Sequence, residues 1–217
     1  MFPPLFAFLA PHECLGCGRE GHVICALCAA KLRPAVARCY RCQAKSPDGM
    51  TCPDCKKHTP LQAVHSLLRY ESLAKEAVWL LKFQHARAAA IDIGRLLAPL
   101  MDQPHVYITH APTATSRVRS RGYDQARLIA IALARCNQLT YAPLLARLGK
   151  TRQVGTSRQQ RFEQQQHAFR VTRALPPGCK VVIVDDVITT GATLEAASRA
   201  LHKAGAVHIE AITFAQA

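Results

Sequence analysis

Apolar residues recur along the chain in two rhythms. Residues 71–84, ESLAKEAVWLLKFQ, set Leu73, Ala77, Leu80 and Leu81 on one helical stripe. AAAIDIGRLLAPLM, 88–101, reads as a second helix ending near Pro99, and QARLIAIALARC, 125–136, as a third. Between and after them lie short strand-like runs: VYITHA before a turn at Pro112, KVVIVDD, and VHIEAITFA. The helix TLEAASRALHKA, closed by Gly205, separates the last two. Strands alternating with helices predict βαβ units on a mostly parallel sheet flanked by helices, an α/β fold. Residues 1–60 show no such period, and the shift in composition after Cys55 predicts two domains, 1–60 and 61–217.

That first segment is organised by cysteine. Eight of the ten cysteines form four CxxC pairs: Cys14 and Cys17, Cys25 and Cys28, Cys39 and Cys42, Cys52 and Cys55. Two intervening residues let a tight turn aim both sulfurs at one tetrahedral ion. Four pairs in succession, with gaps of 7, 10 and 9 residues, predict two four-cysteine zinc sites. Neighbouring pairs sharing an ion would give ribbons in tandem; alternate pairs would give a cross-braced unit. With few periodic apolar residues, the segment draws its folding energy from the metal. Four thiolates leave no open coordination position, so zinc acts as a staple, and His12, His22 and His58 are bystanders. Cys136 and Cys179 stand alone as buried small hydrophobes or inert thiols.

The stretch VIVDDVITTGAT, 182–193, joins an apolar run to two adjacent carboxylates, Asp185 and Asp186. In a parallel sheet, ligands sit beyond the carboxyl ends of the strands, where these acids are expected. The following Thr189, Thr190, Gly191, Ala192 and Thr193 lead into a helix whose free amides and positive dipole end receive an anion. Gly191 lets the backbone close around a phosphate, and the threonine hydroxyls add donors. Carboxylates beside a phosphate repel it unless they meet hydroxyls. A ribose 5-phosphate satisfies both requirements.

VIVDDVITTGAT is also similar to the phosphoribosyl diphosphate (PRPP) loop of type I phosphoribosyltransferases. With the cysteine-rich front, LLKFQH at 80–85 and RGYDQA at 121–126, nearly the whole chain resembles the ComF family of competence-associated phosphoribosyltransferase-like proteins. The resemblance implies a double zinc ribbon followed by a type I phosphoribosyltransferase fold. It assigns ribose contact to Asp185 and Asp186, and 5-phosphate contact to residues 189–193. Ala111 and Pro112 fall in the diphosphate loop, Arg117 and Arg121 in a flexible segment near the diphosphate, and Lys82, at its helix end, within reach of ligand. The chemistry implied is displacement at C1 of PRPP with diphosphate leaving, aided by Mg²⁺ alongside the two structural zinc ions. Partners implied are single-stranded DNA and a helicase-like ATPase of natural transformation. The alternative is a non-catalytic adaptor of DNA uptake that binds PRPP or single-stranded DNA. Three departures stand out. The family's VPxP is THAP here, with His110 at the first proline. Its RGFNQ is RGYDQ, placing Asp124 near the diphosphate. QVGTSRQQR, 153–161, resembles the family's QxGLSxxxR, with Gln164 where Asn is usual.

Charge adds a partner class. The 28 Lys and Arg against 14 Asp and Glu give a formal +14, lowered to about +10 by eight thiolates and two zinc ions, which suits an anionic ligand. An aromatic content of 6% argues against extended base-stacking platforms. GKT at 149–151 is no phosphate loop, because Leu144 stands where the first glycine belongs and the preceding LLARL looks helical. The opening MFPPLFAFLAPHEC has no basic lead and is too short to span a bilayer; it reads as an apolar arm packed on the body, and a cytoplasmic location is expected.

Overall fold

In a computed structural model, residues 12–101, 106–148 and 168–217 are described. The opening arm, GKT, QVGTSRQQR and Gln164 lie outside them. The β-branched runs form a five-stranded parallel sheet in the order β1-β7-β6-β2-β3. Its strands are β1 (Leu61–Arg69), β2 (Val106–His110), β3 (Thr140–Tyr141), β6 (Lys180–Ile188) and β7 (His208–Gln216). A separate antiparallel pair joins β4 (Leu145–Arg147) to β5 (Phe169–Val171), so the expectation of a helix over LLARL is corrected. Pairing with a segment distant in sequence overrides the local pattern.

Period-two alternation divides the core between the two faces of the sheet. Val182, Val184, Ile212 and Phe214 pack under the helices α3 (Ser72–Phe83), α4 (Ala88–Leu97) and α6 (Gln125–Cys136). Val181, Ile183, Ile209 and Ala211 pack under α7 (Ala192–Lys203). The expected stripe on α3 is turned by about one residue: Ala74, Ala77, Val78 and Leu81 are fully buried, with Leu73 and Leu80 at the margin. A Cβ on Gly94 would lie 2.4 Å from Ala132 Cβ, which explains a glycine in mid-helix where α4 and α6 cross.

The cysteine-rich segment, with its short helices α1 (Ala26–Ala29) and α2 (Pro53–Lys56), buries its apolar residues against the body rather than within itself. Val23, Ile24 and Ala29 join the first cluster and Tyr40 the second. Its backbone also caps the edge strand β1, through Ala35 N–H to Leu67 O at 3.0 Å and Thr51 N–H to Gln62 O at 2.7 Å. An exposed edge that would template further pairing is thereby closed. The polar stretch preceding SLLRY had not suggested this strand, because β1 draws its partners from both ends of the chain.

Candidate functional site

The connection after β2 reaches β3 on one side of the sheet, while the connection after β6 reaches β7 on the other, and the two strands are neighbours. Their carboxyl ends therefore border a switch-point crevice, the usual ligand position in such sheets. β2 pairs with β6 only from Val106↔Lys180 to His110↔Val184. Among the described residues, β6 continues beyond Val184 to Ile188 paired with β7 alone, its other flank unpaired.

The acids lie inside the strand rather than after it, because β7 supplies partners as far as Ile188. Successive residues of a strand face opposite ways, so the two carboxylates do not point together. Asp186 is 3% exposed and accepts from Lys82 Nζ at 2.9 Å through Oδ1, while its buried Oδ2 has no hydrogen-bond partner among the described residues. Asp185 keeps partial access, and its Oδ1 accepts the Asp186 N–H at 2.8 Å. Dense surroundings, then the Asp186 charge, push the Asp185 carboxyl well above the ordinary range, with Lys82 opposing. Asp185 is thus the partly accessible acid of the two, and in the ligand-free chain it holds its proton above the ordinary carboxylate range.

Thr189 and Thr190 are exposed at the tip of the following loop. Gly191, in the left-handed region at φ 75°, is the N-cap of α7 and supplies no capping side chain. The first amides of α7, at Ala192, Thr193 and Leu194, precede its first helical bond, Glu195 N–H to Gly191 O at 2.9 Å. Ala192 N–H turns to Thr190 Oγ1 at 3.4 Å, so that, among the described residues, Thr193 and Leu194 are left as the orphan donors of a helix start, available to an anion.

Opposite lies the connection after β2. Ala111 N–H donates to Val184 O at 3.0 Å, fixing Ala111 and Pro112 beside the acids. Asp124 caps α6 by accepting from Arg127 N–H at 3.3 Å and holds Thr113 N–H at 2.7 Å. The Asp124 carboxylate, expected to add charge at a diphosphate, is engaged by these donors. His110 is buried beside it, and burial pushes that imidazole down against the opposing pull of Asp124. Arg147, on β4, was missed at the level of sequence because LLARL looked helical. Its Nη1 donates to Pro112 O at 3.3 Å. Burial, then the nearby Arg117, lowers its pKa, while Asp185 and Asp124 oppose that shift.

Arg117 is exposed on α5 (Thr115–Arg121). Arg121 ends α5, is 9% exposed, donates from Nε to Lys82 O at 2.6 Å and from Nη1 to Gln125 Oε1, and stacks over Phe83. Tyr123 OH donates to Leu81 O, and His85 Nδ1 lies 3.1 Å from Arg121 O. LLKFQH and RGYDQA are thus two halves of one brace that presents Lys82 to Asp186.

The cysteines assemble by neighbouring pairs: Cys14, Cys17, Cys25 and Cys28 in one group, Cys39, Cys42, Cys52 and Cys55 in the other, each with its sulfurs within 4.8 Å of one another. Cys17 Sγ to Cys25 Sγ is 3.9 Å and Cys42 Sγ to Cys52 Sγ is 3.6 Å. A tetrahedral zinc with bonds of about 2.3 Å sets sulfurs roughly 3.8 Å apart, so both groups fit the ion. A hydrogen bond with Cys25, then burial, pushes the Cys28 thiol up to about 12, and Cys52 followed by burial does the same to Cys55. Replacing thiol protons by a cation relieves this crowding. His22 is engaged by Asp92 at 3.0 Å. Cys179 is buried as expected, but Cys136 is exposed at the end of α6, off the helix's apolar face.

Comparison with known proteins adds to this geometry. Residues 120–217 match the phosphoribosyl transferase domain. Among solved structures, the chain is similar to the allosteric regulatory enzyme of purine biosynthesis, with 22% identity and a TM-score of 0.43 over 59% of this chain and 25% of that one. It is also similar to the glutamine phosphoribosylpyrophosphate amidotransferase from B. subtilis complexed with ADP and GMP, with 23% identity and a TM-score of 0.42 over 59% and 26%. The chain thus spans about a quarter of the length of each. No curated protein matches it. The parallel sheet flanked by helices and the matched domain identify the type I phosphoribosyltransferase fold, preceded by two four-cysteine groups. Among the described residues, no helix is long and apolar enough to cross a membrane.

Proposed function

We propose that the switch-point crevice binds PRPP with Mg²⁺, in a ComF-like protein whose cysteine-rich unit ends near residue 60 and carries two structural zinc ions. The observation that carries this reading is the meeting of two loops at the unpaired flank of β6. One presents Asp185 and the amides of Thr193 and Leu194 at the start of α7; the other presents Ala111 and Pro112, with Arg147 behind. The 5-phosphate sits on the amides of residues 189–193, and Asp185 accepts from a ribose hydroxyl. Asp186, paired with Lys82, sets the potential from the opposite face of the strand rather than gripping the sugar. Arg147 and Arg117 receive the diphosphate, a planar bidentate donor being suited to phosphate. Mg²⁺, when bound, neutralises the leaving diphosphate. The reaction is displacement at C1 through an oxocarbenium-like transition state, in which positioning and charge carry the rate. Calorimetric titration with PRPP and Mg²⁺ tests it. Saturable binding lost in Asp185→Ala, with diphosphate released when an acceptor is present, is the expected result. No binding to the native chain overturns the reading.

A cytoplasmic adaptor role in DNA uptake, with binding but no turnover, is the second reading. It is favoured by the formal charge of +14 and by an exposed pair on α3, Trp79 and Phe83, with ring centroids 6.2 Å apart. Two rings serve a few bases, not an extended platform. Single-stranded DNA binding with a steep salt slope, weakened in Trp79→Ala, supports it; a helicase-like ATPase is the partner to test next.

A further inference from the structure

The second four-cysteine group touches the 189–193 loop through Tyr40. Tyr40 lies in the turn between Cys39 and Cys42, and a Cβ built on Gly191 would stand 2.5 Å from its Cδ2. The ring is therefore seated on the bare face of the glycine that starts α7. Its hydroxyl donates to Glu195 Oε2 at 3.2 Å and lies 2.8 Å from the Thr59 hydroxyl, Oγ1. Glu195, in the first turn of α7, is held as well by Arg41 Nε at 3.7 Å and Arg199 Nη2 at 2.6 Å. Arg199 Nη2 also donates to His58 O at 2.5 Å, returning to the cysteine-rich segment. The mouth of α7 is thus braced by a turn whose own shape depends on four sulfurs converging. Gly191 alone has no side chain with which to hold φ 75° against the alternatives open to glycine.

We infer that Tyr40 is a positioning residue for the 189–193 loop, so that metal at the second four-cysteine group and anion at the loop bind cooperatively. Coupling is reciprocal: metal that orders the Cys39–Cys42 turn seats the ring, and a ligand that orders the loop tightens the metal. The first group, anchored instead through Val23 N–H to Asp92 Oδ2 at 2.7 Å on α4, is not coupled in this way. The ligand half of the inference rests on the ribose phosphate reading; the loop half does not.

Amide hydrogen exchange of the first helix-bonded amides of α7, residues 195–198, in the zinc-loaded full chain tests it without any ligand. In Tyr40→Ala, with two zinc retained, these amides are expected to exchange on the order of tenfold faster while those of β6 stay unchanged. Tyr40→Phe, which keeps the ring, restores most of the protection. Cys42→Ser, which disables the second group, speeds the same amides; Cys17→Ser, at the first, does not. Ribose 5-phosphate affinity follows the same order, falling on the order of tenfold in Tyr40→Ala. Unchanged exchange of these α7 amides in Tyr40→Ala, or equal effects of the two cysteine variants, overturns the inference. Absence of ribose 5-phosphate binding by the native chain, with the exchange pattern intact, overturns only the ligand reading.

Discussion

Lys82 Nζ meets Asp186 Oδ1 at 2.9 Å, joining the end of α3 to the middle strand of the sheet beneath the candidate site. Asp186 has 5% of its side chain exposed, and the preceding residue is a second carboxyl, so the ammonium is the nearest compensation for two acids. Removing one partner of a buried pair leaves an uncompensated charge. Lys82→Ala is expected to cost about 3 kcal/mol in urea unfolding, and Lys82→Ala with Asp186→Asn substantially less. Equal losses in the single and double variants would sink the pairing.

Asp185 has a raised pKa, so the native state holds its proton more tightly than the unfolded chain does. Ligand-free stability therefore falls as pH rises above the ordinary value of 3.8 toward the raised one, and is unaffected by this group below 3.8. Asp185→Asn is expected to be more stable than the native chain at neutral pH, with a higher Tm, while losing Mg²⁺-dependent PRPP binding. Thermal unfolding across pH, with and without ligand, checks both halves. A variant that is less stable and still binds would contradict the assignment.

Arg147 distinguishes diphosphate from phosphate. Its place behind Pro112 predicts that Arg147→Ala weakens PRPP on the order of tenfold while leaving ribose 5-phosphate affinity within twofold, since one charge-assisted contact is lost from the diphosphate only. Parallel calorimetry with the two ligands measures the ratio. Equal weakening of both would place Arg147 at the 5-phosphate or in a purely structural role.

Glu210 on β7, opposite Val182 of β6, lies 3.2 Å from His65 Nε2 on β1 and 2.7 Å from His208 Nε2. The His65 hydrogen bond first, with His208 assisting against burial, holds its carboxyl down to about 2. A depressed carboxyl contributes stability that is present above the unfolded value, near 4.5, and lost as pH falls toward about 2. The stability gap between native protein and Glu210→Gln is therefore expected to be widest above pH 4.5 and to close on acidification. A gap independent of pH would show that packing, not charge, decides the effect.

Much of the fold was legible because it is written locally. Helices α3, α4, α6 and α7 and strands β2, β6 and β7 follow from apolar periods within single windows. β1 escaped notice because its partners are β7 and the backbone around Ala35 and Thr51, all distant in sequence. β4 was misread for the same reason, and Arg147 was lost with it. Arg121 lay in a recognisable motif, yet a motif does not say which arginine faces ligand and which is a strut.

The sequence by itself determined the α/β alternation, the cysteine spacing that lets two tetrahedral groups form, and the presence of acids next to a glycine-started helix. Each depends only on residues a few positions apart. Tertiary structure decided that neighbouring cysteine pairs converge, that Asp185 and Asp186 face opposite ways, that Lys82 compensates the buried acid, and that Tyr40 rests on Gly191. Those outcomes turn on strand order and on where β2 stops pairing with β6, and both come from contacts between parts of the chain that no local pattern relates.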